Sequence, residues 1–164
     1  MIHDGLRRLP GDVAPVLHEQ FPELFTAQAL ECSQIGAGWF AIATDALSEL
    51  QAIRDQGHNV LVTRVKEKLG TLRVQSLLCD QFAYSQDAGG LRALQAARRA
   101  KIIERLGHIT ARAFERSRFV CETCGDPGSE FRKSGNIKVL CELHREQTRR
   151  GASADPFWTV PDSD

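Results

Sequence analysis

No stretch of about 18 consecutive apolar residues occurs in this chain of 164 residues, which excludes a transmembrane helix. The opening segment "MIHDGLRRLPGD" lacks an apolar core, so it does not read as a secretory signal. The expected compartment is the cytoplasm, where reduced thiols favour metal binding over disulfides. Aromatic residues are scarce, at 7%. Zero net charge and the expected lack of an aromatic-interleaved basic surface argue against nucleic-acid binding. G-x-S-x-G, P-loop, H-E-x-x-H and G-x-G-x-x-G patterns are all absent, so no familiar catalytic constellation is in view. Internal repeats and low-complexity segments are missing too.

What is present suits one ordinary domain with a small appendage. Hydrophobic content is 42% and charged content 26%. A chain of this length buries roughly two thirds of its unfolded surface, so it does not need a metal merely to fold. Net charge is zero but unevenly spread. Residues 1–90 hold 7 Lys/Arg against 11 Asp/Glu, and residues 91–150 hold 14 against 7. The last 14 residues carry three Asp and no base.

Hydrophobic spacing predicts an α+β fold. Asp12 is placed to cap a turn through "VAPVLHEQF", and Phe21, Leu24 and Phe25 share one side of a further turn. Trp39, Ile42, Ala43, Ala46, Leu50 and Ile53 recur at three- and four-residue spacing, predicting a helix over 38–55 that Gly57 stops. "NVLVTRVKEKLGTLRVQSLL" predicts strands at 60–68 and 71–78, with a turn around Leu69–Thr71 and Leu61, Val65, Leu72 and Val74 buried. A lone hairpin is marginal, so its apolar face must pack on helices. "CDQFAYSQDAGG" reads as a loop. The longest helix is expected from Leu91 to Phe119, with Leu94, Ile102, Leu106, Ile109 and Phe114 as its buried stripe.

The densest chemistry lies in "CETCGDPGSEFRKSGNIKVLCELH", residues 121–144. Cys121 and Cys124 sit two residues apart, and Cys141 and His144 repeat that spacing. The second pair falls at the start of a predicted helix, where residues three apart share a face. Between the pairs, "EFRKS" and "NIKVL" predict a short hairpin around Ser134–Gly135. The order of knuckle, hairpin and helix is that of a treble-clef or zinc-ribbon-like finger. Cys3His is a tetrahedral zinc donor set, Zn²⁺ is the expected cofactor, and four protein ligands leave no open position. The expected organisation is a helix and β-hairpin core at 1–119, a docked finger at 120–150 and an irregular tail at 151–164.

Other candidates are weaker. Glu104 and His108 stand one helical turn apart, but such a histidine is more often an ordinary surface residue. Cys32 and Cys79 read as small core hydrophobes. A His-Asn-His endonuclease needs a further histidine between Cys124 and Cys141, and none is there. Phe157 and Trp158 form an aromatic pair expected to seat in a groove of the protein itself.

Gly38-Trp39, then "VKEKLGTLR" at 65–73, then "CETCGDPG" and "LCELH" together resemble a group of small bacterial and phage proteins of unassigned activity. The resemblance covers roughly residues 20–145. Its usual form has Phe where this chain has Leu69. It implies a zinc-binding module on a compact helix–hairpin–helix core and supplies no activity.

The expected function is therefore that of a non-enzymatic, protein-binding protein, such as an immunity protein or inhibitor neutralising a toxin or defence effector. Lys66, Lys68, Arg73, Arg98, Arg99, Arg105, Arg132 and Lys133 are the candidate partner-binding residues. Nucleic-acid binding through the basic helix 91–118 and the finger is the alternative, and a zinc-containing enzyme ranks third.

Overall fold

A computed structural model describes residues 11–79 and 89–151. The loop expected at 79–90 falls mostly outside these residues, and Phe157 and Trp158 fall wholly outside them. The described chain is α+β. It runs α1 (Ala14–Gln20), a 3-10 turn (Ala37–Trp39), α2 (Phe40–Asp55), β1 (Val60–Glu67), β2 (Leu72–Leu78), α3 (Gly89–Ser117), β3 (Ser129–Lys133), β4 (Asn136–Leu140) and α4 (Glu142–Arg149).

Local chemistry accounts for most boundaries. Asp12 Oδ1 accepts the Ala14 amide at 3.0 Å and the Ile35 amide at 3.1 Å, so one carboxylate starts α1 and pins the 33–36 segment beside it. Trp39 of the 3-10 turn and Ile42, Ala43, Ala46, Leu50 and Ile53 of α2 are all buried as predicted, joined by Leu47. Gly57, at φ +92°, ends that helix in a conformation that costs glycine little.

β1 and β2 form an antiparallel hairpin. Lys68 and Thr71 exchange backbone hydrogen bonds, and the two residues between them, Leu69 and Gly70, sit at φ +54° and +71°. This is the twisted two-residue turn that normally takes Asn-Gly. Leucine is strained there by about 1 kcal/mol. Leu69→Asn is expected to raise stability by about that amount in urea denaturation, because asparagine tolerates the left-handed region.

The strand bounds match expectation, but the burial of Leu61 does not. Leu61 is only half-buried and Val60 and Val62 are buried instead, while Val65, Leu72 and Val74 are buried as expected. A bulge between Val62 and Arg64 leaves Thr63 unpaired and shifts the alternation by one residue.

α3 shows a second difference. Leu106, Ile109 and Ala113 are buried and Ile102 packs at the core's edge, but Leu94 is 49% exposed. A helix of 29 residues is about 43 Å long, whereas its partner α2, with 16 residues, is about 24 Å. Among the described residues, α2 and β2 therefore accompany α3 from about Arg99 onward, where Arg99 meets Leu78, and not at Leu94. Arg112 and Arg116 of that part pair with Glu49 and Asp45 of α2. Both pairs are solvent-exposed, so they set the helix register more than they stabilise it.

Candidate metal centre

The cluster begins where α3 ends. The chain leaves Ser117, passes Val120 and turns tightly, with the Gly125 amide bonding to the Cys121 carbonyl at 2.9 Å. Gly125 takes φ +84°, which closes the knuckle. β3 and β4 follow as an antiparallel hairpin whose turn, Ser134–Gly135, again has two positive φ angles. Cys141 directly precedes α4, and the Arg145 amide reaches the Cys141 carbonyl at 3.0 Å to make the first helical turn. That turn places Cys141 and His144 on one side.

The four predicted ligands converge. The Sγ atoms of Cys121, Cys124 and Cys141 and one ring nitrogen of His144 all lie within 4.8 Å of one another. Cys124 Sγ is 3.7 Å from Cys141 Sγ, and His144 Nδ1 is 3.6 Å from Cys121 Sγ and 3.1 Å from Cys141 Sγ. A tetrahedral ion with sulfur at about 2.3 Å and nitrogen at about 2.05 Å needs edges of about 3.8 Å (S to S) and 3.6 Å (S to N). Two of the three distances fall on those values, and the third is shorter. All the cysteines are free thiols. The donor set and its spacing fit one soft metal ion, with Nδ1 as the ring nitrogen that faces it.

Burial raises the thiol pKa of Cys121 and of Cys124 above the ordinary value. Backbone amides oppose this: those of Cys141, Cys124 and Thr123 face the Cys121 sulfur, and that of Asp126 faces Cys124. Amides aimed at sulfur favour the thiolate, the form that ligates a metal. Without a cation, burial outweighs them and the thiols stay protonated, so metal uptake releases protons.

The finger is built into the core. Gly38 donates its amide to the Glu122 carbonyl at 2.9 Å, and Trp39 Nε1 donates to the Val120 carbonyl at 2.8 Å. Glu122 is itself buried and ion-paired with Lys138 of β4. A methyl group on Gly36 would overlap the Glu122 carbonyl oxygen at 2.1 Å, and one on Gly38 would overlap that of Cys121 at 2.0 Å. On the other side the Gly70 turn lies against Ile137 and Lys138. Val139 of β4 belongs to the main core. Residues 36–39 thus form the socket of the metal knuckle. Sequence reasoning used "GAGW" only as a helix start. Two glycines flanking a small residue before a buried tryptophan were the signal of a close backbone approach.

The basic candidates do not gather as the ligands do. Lys66 borders a polar cleft between β1 and the finger, and Lys68 is exposed at the hairpin turn. The Arg73 guanidinium lies 4.4 Å from the Phe114 ring centre. Arg98 is exposed, whereas Arg99 donates to the Leu78 carbonyl and Arg105 to Gln56. Arg132 pairs with Glu130, and Lys133 donates to the Thr148 carbonyl. Glu104 and His108 are both exposed. Cys32 is exposed rather than a core residue, because it lies on the outer side of the turn before Ser33, and Cys79 is half-buried. No helix among the described residues is long and apolar enough to cross a membrane.

Compared with known protein families, with curated proteins and with solved structures, the chain finds no match. The class that fold and site define is an α+β protein with a Cys3His cluster able to hold a metal ion.

Proposed function

We propose that Cys121, Cys124, Cys141 and His144 hold a structural zinc ion, and that the protein works by binding another protein and not by catalysis. The observation that carries this reading is the convergence of three sulfurs and one imidazole within 4.8 Å. Four protein donors saturate a tetrahedral ion and leave no position for a substrate or an activated water. The zinc then serves to fix the knuckle and its hairpin against the core, which creates surface. The partner we infer is a toxin or defence effector of basic charge, met in the cytoplasm. The excess of acidic residues in the first 90 positions supports that polarity.

Elemental analysis tests the metal. Protein as purified should contain one zinc per chain. Cys124→Ser and His144→Ala should each lose it, while Cys32→Ser and Cys79→Ser keep it. A full complement of zinc in Cys124→Ser would overturn the assignment.

Nucleic-acid binding is the second reading, favoured by exposed Arg98 and Lys101 on α3. Against it, Arg112 and Arg116 of the same helix are already paired with carboxylates. Under the protein-binding reading, replacing Arg98, Arg99 and Arg105 together with Glu leaves retention on heparin unchanged. Lost retention would instead support phosphate contacts.

A further inference from the structure

We propose that two copies of this chain pair through the open edge of β2, so that their hairpins join as one four-stranded antiparallel sheet about a twofold axis at Gln75. This goes beyond the zinc and partner reading above and does not depend on it.

The edge follows from where the backbone of β1 points. The Val65 amide donates to Ser33 Oγ at 2.9 Å, and its carbonyl accepts the Gln34 amide at 2.9 Å. The Val62 amide donates to the Leu24 carbonyl, and its own carbonyl accepts the Thr26 amide. Both residues therefore turn their backbone groups away from β2. In an antiparallel ladder the residues opposite them, Val74 and Ser76, then turn theirs away from β1. Leu72 and Leu78 follow the same alternation, and both have partners. The Leu72 amide donates to Ser117 Oγ, and the Leu78 carbonyl accepts from Arg99. The outward backbone groups of Val74 and Ser76 have no such partner among the described residues. Val74 is buried, and buried backbone groups are seldom left without one.

This open window is its own complement. Under a twofold axis through Gln75, Val74 of one copy meets Ser76 of the other, and Ser76 meets Val74. Each pair then exchanges both of its N–H to C=O bonds. The next residues out set Arg73, which leans on the Phe114 ring, against Leu77, so no like charges face each other across the strands. Natural sheets guard their edges with charges, prolines or bulges. From Val74 to Leu78 β2 has no charged residue and no proline, and the bulge lies on β1.

The surface beside the edge also suits a second copy. A groove of about 690 Å³ runs between β2 and α3, with Leu77, Ile103, Leu106 and Gly107 in its lining. Leu77 is 53% exposed and Ile103 49%. On α3 the exposed Ala100, Ile103, Gly107 and Ala111 recur at three- and four-residue spacing and so share one face. That face is uncharged, although Arg98, Lys101, Glu104, Arg105 and Arg112 occupy the rest of the same stretch. A twofold axis sets each charge near it against its own copy, so an uncharged face suits self-association, whereas a charged partner calls for the opposite charge.

Light scattering on the full chain after size exclusion tests the pairing. The parent should show twice the mass of one chain. Ser76→Pro removes an outward donor and fills the edge without breaking a bond of the β1–β2 ladder, so it should halve that mass. Ile103→Glu, which sets two carboxylates near the axis, should do the same. Both variants should keep the circular dichroism of the parent, and either one that does so suffices. Cross-linking tests the register in a Cys32→Ser, Cys79→Ser background. Gln75→Cys should oxidise to a disulfide-linked dimer, because position 75 faces its own copy. Leu77→Cys should not, because it stands four strand positions, about 13 Å, from its copy. A monomeric parent, a dimer that the folded variants leave intact, or cross-linking at 77 and not at 75 overturns the proposal.

Discussion

Replacing Gly38 with alanine is expected to destabilise the folded protein by about 4 kcal/mol or more, at the extreme of single substitutions. The added methyl would lie 2.0 Å from the Cys121 carbonyl oxygen, 2.5 Å from the Gly125 amide nitrogen and 2.8 Å from that of Cys124. All three atoms are backbone, and all three belong to the knuckle, so no side-chain rotation relieves the clash. The knuckle must move away from residues 36–39. That movement breaks the Gly38 to Glu122 bond and strips Trp39 Nε1 of its carbonyl partner. It also shifts two of the four cluster residues, so zinc affinity should fall along with stability. Gly107→Ala is the internal control. Gly107 sits within α3 with open space where a methyl would go, and alanine there should stabilise by about 0.5–1 kcal/mol. Urea denaturation of the two variants should therefore move in opposite directions. A loss below about 1 kcal/mol for Gly38→Ala would mean that the knuckle adapts freely and the socket is not rigid.

The socket explains what was legible in the sequence and what was not. The four ligands could be read because the two pairs are local: each spans four residues, and donor chemistry is fixed by residue type. Helix α2 and both hairpins could be read for the same reason, since periodicity and turn residues act over a few positions. Leu61 was misplaced because a bulge at Thr63 reverses the alternation, and no composition signal in "LVTRV" announces it. Leu94 was misplaced because the helical pattern continues ahead of the stretch that the described neighbours α2 and β2 cover. The function of Gly36 and Gly38 depends on backbone about 85 positions away. Local pattern carries no information about that approach, although a glycine pair before a buried tryptophan invites the question. The basic residues were taken as partner-binding candidates from their type and position, yet five of the eight already engage groups of the protein itself.

Removing the metal should have an effect of the same order, concentrated in the finger. The apolar cluster belonging to the finger alone comprises Cys121, Leu140 and Cys141, with Cys124 and Phe131 at its edge. Units below about 40 residues rarely fold on such a core without a metal or a disulfide. A site held at a thousand times its dissociation constant contributes about 4 kcal/mol, and for a chain of this length that corresponds to about 10 °C in Tm. A strong chelator should therefore lower Tm by about 10 °C or more, and Cys124→Ser should match it with no chelator added. Hydrogen exchange should locate the loss. Amides of Cys121, Glu122, Gly125 and Arg145, all bonded within or around the cluster, should exchange faster, together with Gly38 across the socket. Amides of the β1–β2 ladder should keep their protection, because Val65 and Val74 belong to the main core, to which the finger contributes Val139. Uniform acceleration would instead show that the two parts unfold as one unit. An unchanged Tm in both chelator and Cys124→Ser would show that packing against residues 36–39 and Gly70 holds the finger without any ion.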